Sequence, residues 1–189
     1  GWPGPLRAEQ LAENPVKQVL QQASTNVAVL LNRGLLLQPL RRILVPVGGG
    51  PHSRMAVRLA YELAEAEGAQ ATALRVLTGD VPDENEELED QANWLAETIA
   101  ETLGDVPACF SLQAVRAESI REGVLAEAQR HAYNLIVMGA SEEWALRTRL
   151  FGAVDDWVAD QAPCSVLFCR RYERKAISWL RRQVKHVEP

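Results

Sequence analysis

Cysteine and histidine are scarce in this chain of 189 residues, with three of each. Cys109, Cys164 and Cys169 are odd in number and lack metal-ligand spacing, which argues against a disulfide framework and a zinc-cluster fold. His52, His131 and His186 lie far apart without partner ligands, so no metal site is expected. No apolar run approaches the roughly 20 residues of a membrane-spanning helix. No basic start followed by an apolar stretch marks a signal peptide. A reducing, cytoplasmic compartment fits this pattern. Basic charge is not in excess: 20 Lys and Arg stand against 25 Asp and Glu, a net charge of −5. That argues against the broad positive field that nucleic acid requires. No Lys-Ser/Thr pair follows the glycines at 48–50, and Ser53 stands where a dinucleotide fingerprint needs its third glycine. His52 and Ser53 are neighbours, but no third group orients them as base and nucleophile. The expectation is a protein that is not an enzyme.

What is present is an α/β pattern. Apolar residues make up 47% of the chain and charged residues 24%, ordinary for a globular domain. Runs at 43–47 (ILVPV), 71–77 (ATALRVL), 110–117 (FSLQAVRA), 134–140 (NLIVMGA) and 165–169 (SVLFC) read as strands. Helical periodicity fills 53–66, 84–103, 119–131 and 154–161 between them. Strands alternating with helices predict a mostly parallel sheet covered on both faces. Ligands of such sheets bind at the carboxyl ends of the strands, beside a topological switch point. The loops after Val47 and Met138 are therefore the places to look.

The first 34 residues read differently: a short helix and a strand at 27–31, with no strand before the helix. Laid over the end of the chain, Gly1 falls on Gly139, Asn14 on Gly152 and Val16 on Val154. With a one-residue shift, "ASTNVAVLL" then lies over "APCSVLFC". Such a repeat implies tandem domains, of which this stretch is the last third of an upstream copy.

The segments "RRILVPVGGGPHSRMAVRLAYELA", "HAYNLIVMGASEE" and "LFGAVDDWVADQAPCSVLFCR", in this order, resemble a universal stress protein domain. The resemblance spans about residues 41–170 and is weak in the acidic middle. It implies a three-layer, five-stranded, mostly parallel sheet of the adenine-nucleotide α-hydrolase-like kind, and pairing of domains through the last strand; together with the repeat, it implies that strand 27–31 pairs antiparallel with strand 165–169. In the nucleotide-binding branch, ATP lies over the ends of the first and fourth strands. By that resemblance the cofactor-binding positions are Val47, Gly48, Gly49, Gly50, His52, Met138, Gly139, Gly152 and Ala153, and the cofactor is ATP or another adenine nucleotide.

The branch has an Asp after its first strand and Gly-x2-Gly-x9-Gly-Ser/Thr after its fourth. Loop amides of this kind cradle phosphates. Here the Asp position is Gly48, the second glycine is Glu142 with Glu143 beside it, and the hydroxyl position is Ala153. Glu142 places negative charge where a phosphate must sit. Arg147 and Arg149 either offset it or serve a solvated loop. His52 reads either as a ligand contact or as a surface helix start. In the upstream remnant, Gly1, Gly4 and Asn14 stand closer to the motif, although Asn14 followed by Pro15 also suits a helix start.

The acidic run at 80–90 opens a helix and complements its dipole. Trp94, Trp144 and Trp157 read as core or interface residues. In the tail, Ile177, Leu180, Val184 and Val187 recur at helical spacing among Arg181, Arg182, Lys185 and His186. This basic amphipathic helix suits the upstream repeat, a partner, or an anionic membrane surface over 174–187. The expected organisation is an upstream remnant at 1–34, a linker at 35–41, the domain at 42–170 and the tail at 171–189. The "GGGP" loop and the basic tail resemble those of universal stress domains appended to the cytoplasmic end of membrane transporters, and that resemblance implies a cytoplasmic regulatory or assembly module of a membrane transporter or channel, paired as a dimer or with its upstream copy. The alternative is an adenine-nucleotide sensor.

Overall fold

The apolar runs become strands and the amphipathic runs between them become helices. The computed structural model describes residues 15–79, 84–140 and 153–172. In chain order these form α1 (Pro15–Gln22), β1 (Val27–Leu31), β2 (Arg42–Pro46), α2 (Pro51–Glu67), β3 (Gln70–Leu77) and α3 (Glu84–Leu103). Then follow β4 (Phe110–Arg116), α4 (Ile120–Arg130), β5 (Leu135–Gly139), α5 (Ala153–Gln161) and β6 (Ser165–Arg170). Element boundaries differ from the sequence expectation by a residue or two. Helix α2 begins earlier than expected, at Pro51, because a proline is favourable at the first helical position and Gly50 takes the extended N-cap conformation.

The sheet order is β1-β6-β5-β2-β3-β4. All neighbours are parallel except β1, which runs antiparallel to β6. The five expected parallel strands are therefore joined by one extra edge strand. Strand β2 lies between β3 and β5, so the connections leave it in opposite directions. The switch point falls between the carboxyl ends of β2 and β5.

Alternation along the strands divides the core in two. Ile43, Val45, Ala71, Ala73, Leu135 and Val137 face α2 and α3, meeting Ala56, Val57, Ala60, Leu95 and Ile99. Leu44, Leu74, Ile136, Val166 and Phe168 face α4 and α5, meeting Val124, Ala128, Val158 and Ala159. Each large side chain fully buried in this way contributes roughly 1.5–3 kcal/mol. Cys164 and Cys169 lie in this core and act as small apolar residues. Burial pushes their thiols up to about 11 and about 12 respectively. One buried carboxylate, Glu127, is satisfied by Tyr133 Oη and Gln113 Nε2, each at 3.0 Å.

The order helix then strand in α1–β1 is also that of α5–β6. When Ala23 is laid on Ala162, Gln22 and Gln161 end the two helices, and Val27 lies on Val166, Val29 on Phe168 and Leu31 on Arg170. The observed ladder pairs Val29 with Phe168, Val27 with Arg170 and Leu31 with Val166. Equivalent residues thus face each other about a local two-fold axis between Val29 and Phe168. The flanking hydrogen bonds obey the same axis. Arg33 N–H donates to Ser165 Oγ at 2.7 Å, and Tyr172 N–H donates to Asn26 Oδ1 at 2.8 Å. In this alignment Arg33 corresponds to Tyr172 and Asn26 to Ser165. This register is that of an isologous contact.

Candidate functional site

Strand β2 is almost wholly apolar and buried, so it brings the glycine segment 48–50 to the switch point as a rigid end. The ladder extends one residue further, with Val47 N–H donating to Leu74 O at 2.8 Å. Gly48 N–H then donates to Ser53 Oγ at 3.0 Å, which ties the loop to the first turn of α2. Gly49 has φ of 77°, in the left-handed region that a side chain disfavours. A Cβ there would also lie 2.8 Å from Trp94 Cζ2. The loop turns where it does because Gly49 permits both the backbone angle and the indole packed on it. Gly48 and Gly50 have open space in place of a side chain.

Gly139 ends β5 directly against the start of α2. A Cβ on Gly139 would lie 2.4 Å from His52 C and 2.4 Å from Ser53 N. The two strand ends flanking the switch point are therefore held together backbone to backbone.

His52 is not the surface helix start that the sequence allowed. Its side chain is buried, and its Nδ1 accepts the Arg171 N–H at 3.0 Å. An accepting Nδ1 is unprotonated, which puts the proton of the neutral ring on Nε2. This bond links the glycine-loop helix to the chain just beyond β6. Val47 and Met138 are core residues on opposite faces, 4% and 5% exposed, so each offers the site its backbone rather than its side chain. Ala153 is the first residue of α5. Gly152, Glu142, Glu143, Trp144, Arg147 and Arg149 lie outside the described residues, as do Gly1, Gly4, Asn14 and the helical tail 174–187.

One side chain at this end was not singled out in the sequence. Arg75, third from the end of β3, reaches the glycine loop: Nε donates to Gln91 Oε1 at 2.9 Å and Nη1 reaches Val47 O at 3.5 Å. Its Cζ lies 4.5 Å from the Trp94 ring centroid, a cation–π geometry. Gln91 is in turn held by Glu87, at 3.2 Å. Burial lowers the Arg75 pKa from its ordinary value. The signal was available in "ATALRVL": the Arg falls on the same face as Ala71 and Ala73, where an inward residue is expected. On the other side of the loop, Arg54 donates to Gly49 O at 3.2 Å and pairs with Glu101 at 2.7 Å.

Chemically, this end of the sheet offers glycines with open space, a helix start and one guanidinium beneath an indole. Among the described residues no group of three or more His, Cys, Asp or Glu is placed to hold a metal. No described helix is long and apolar enough to cross a membrane.

A model of the universal stress protein family matches residues 39–170. No curated protein matches the chain significantly. Among solved structures, a universal stress protein crystallised in complex with cAMP is similar at 17% identity and a TM-score of 0.59, over 69% of this chain and 97% of that one. A universal stress protein from Archaeoglobus fulgidus in complex with dAMP is similar at 18% identity and 0.51, over 70% and 99%. A further universal stress protein, from Archaeoglobus fulgidus DSM 4304, is similar at 16% identity and 0.62. There the match extends over 89% of this chain and spans 59% of the other. At these identities the likeness shows the fold.

Proposed function

The chain belongs to the universal stress protein family, and from that premise we propose that it is a non-catalytic regulatory and assembly domain paired with an upstream copy in a larger polypeptide. The observation that carries this is the register of β1 on β6, in which Val29 faces its own repeat equivalent, Phe168. A chance strand addition has no reason to obey a two-fold axis; a pair of related domains does. The match to the longer Archaeoglobus fulgidus DSM 4304 chain, which runs beyond the single-domain length, supports the same reading.

The larger polypeptide is, in this proposal, a membrane transporter or channel with this domain on its cytoplasmic side. The reading rests on the resemblance of the glycine loop and basic tail to domains appended to such proteins. The complete polypeptide is then expected to sediment with membranes and resist alkaline extraction, whereas the 189-residue chain stays in the supernatant. Recovery of the complete polypeptide in the supernatant overturns the assignment.

A second reading, favoured by the relatives holding cAMP and dAMP, makes the strand ends an adenine-nucleotide sensor. Occupancy beside the loop would then act on the His52–Arg171 hydrogen bond, and so on the chain beyond β6. The loss of an acid at Gly48 removes one contact to the nucleoside, so affinity is expected to be modest. Calorimetry with ATP, AMP and cAMP tests it. Heat with a Kd below about 1 mM supports the sensor, and silence there bounds binding weaker than about −4 kcal/mol and removes it.

A further inference from the structure

Arg75 is an unusual residue for its position. Residues on the inward face of a buried strand are ordinarily apolar, and a guanidinium drawn out of water ordinarily meets a carboxylate. Among the described residues no carboxylate pairs with Arg75. The nearest acid in its network, Glu87, is bonded to Gln91 rather than to Arg75. Gln91 occupies Nε, Val47 O is only a long contact for Nη1, and Nη2 has no hydrogen-bond acceptor among the described residues. Trp94 covers one face of the guanidinium and is itself fixed against Gly49. The planar fork is thus oriented at its side by Gln91 and on its face by an indole, while its terminal edge, Nη1 and Nη2, carries among the described residues only the long contact to Val47 O. That edge matches two oxygens of an oxyanion.

We propose that Arg75, held by Trp94 and Gln91, is an anion-binding subsite beside the glycine loop, taking a phosphate group of a small ligand. The absence of a side chain at Gly48 is part of it. Gly48 follows Val47, whose carbonyl Arg75 approaches, and the space around it is open. An acid at that position would neutralise Arg75; glycine leaves the charge available and the approach clear. The inference rests on the reading of the strand ends as a ligand site, but not on the ligand being adenine.

The test is NMR of the 189-residue chain, following the Trp94 indole N–H and the Arg75 Nε–H during titration with pyrophosphate, ATP and adenosine. Pyrophosphate is expected to shift both signals to saturation. Arg75→Gln is expected to weaken this by about tenfold or more, as loss of a charge-assisted hydrogen bond does. Arg75→Lys should recover little, because an ammonium lacks the fork. Gly48→Asp, at a position with room for it, should abolish the response while the fold is kept. Should Arg75→Gln not fold, Gly48→Asp carries the test. No saturable shift, or the same affinity in Arg75→Gln or Gly48→Asp, overturns the subsite and leaves Arg75 a packing residue. ATP binding that is indifferent to both variants keeps the nucleotide sensor and overturns this inference. Pyrophosphate binding that needs Arg75, with ATP no tighter and adenosine silent, supports the inference and removes the adenine reading.

Discussion

Gly139→Ala is expected to lower the stability of the domain by about 3 kcal/mol, at the upper end of what overpacking costs. The added methyl would meet His52 C and Ser53 N at 2.4 Å and His52 O at 2.7 Å. All three are backbone atoms in the first turn of α2, so no rotamer change relieves the clash. Either β5 or the start of α2 must move. Neither moves freely, since β5 is paired on both sides and α2 is buried through Ala56, Val57 and Ala60. The contrast is Gly48→Ala, which meets nothing within 4 Å and is expected to change stability by less than about 0.5 kcal/mol. Denaturant unfolding of the two variants measures the difference. Equal midpoints would mean that the two strand ends are not locked together as described. Because Gly139 also aligns the glycine loop with the end of β5, its alanine variant should lose ligand response along with stability, whereas Gly48→Ala should not lose stability.

Removal of residues 1–34 is expected to convert the chain into a dimer. Without β1, strand β6 becomes a bare edge, with Val166 and Phe168 beside it no longer flanked by Val27 and Val29. The register already observed defines how the edge would be covered. Since Val29 faces its own equivalent Phe168, a second β6 can enter the same place with Phe168 opposite Phe168. The truncation also removes Arg33, whose guanidinium donates to Ala159 O at 2.7 Å, to Asp160 O at 2.9 Å and to Ala162 O, capping the end of α5. The truncated domain should therefore be less stable as a monomer, which adds to the drive to pair. Light scattering after size exclusion reads the result as a doubled mass. A folded, monodisperse monomer would overturn the paired-copy reading.

Most of the fold was legible because its signals are local. An apolar run of five residues such as 43–47 can be satisfied only between other strands and under helices on both sides. The order of strands and helices then leaves few topologies, because parallel crossovers are right-handed. Even β1 was legible, since "NVAVLL" repeats "SVLFC" and the paired domains that the chain resembles join through their last strands. The site was legible only in outline. Gly48, Gly49 and Gly50 announce a tight turn, but their reasons differ. Gly49 serves a left-handed angle and Trp94, whereas Gly48 and Gly50 have open space around them. Gly139 reads in the sequence as the first glycine of the motif after the fourth strand; the structure adds that the backbone of α2 fills the place of its side chain. His52 read as either a ligand contact or a surface helix start, because nothing near it in sequence shows that Arg171, far along the chain, bonds to its ring.

Periodicity and composition were sufficient for the α/β class and the parallel sheet, because these follow from which residues must leave water. They also pointed to the loop after Val47 as a place to look for a ligand. Tertiary structure alone decided which side chains meet there. Arg75, Trp94 and Gly49 are separated in sequence and come together only when β3 and α3 pack beside the end of β2. The physical reason is that hydrophobicity is a property each residue carries in its own side chain, whereas the partner of a charge depends on what the folded chain brings beside it.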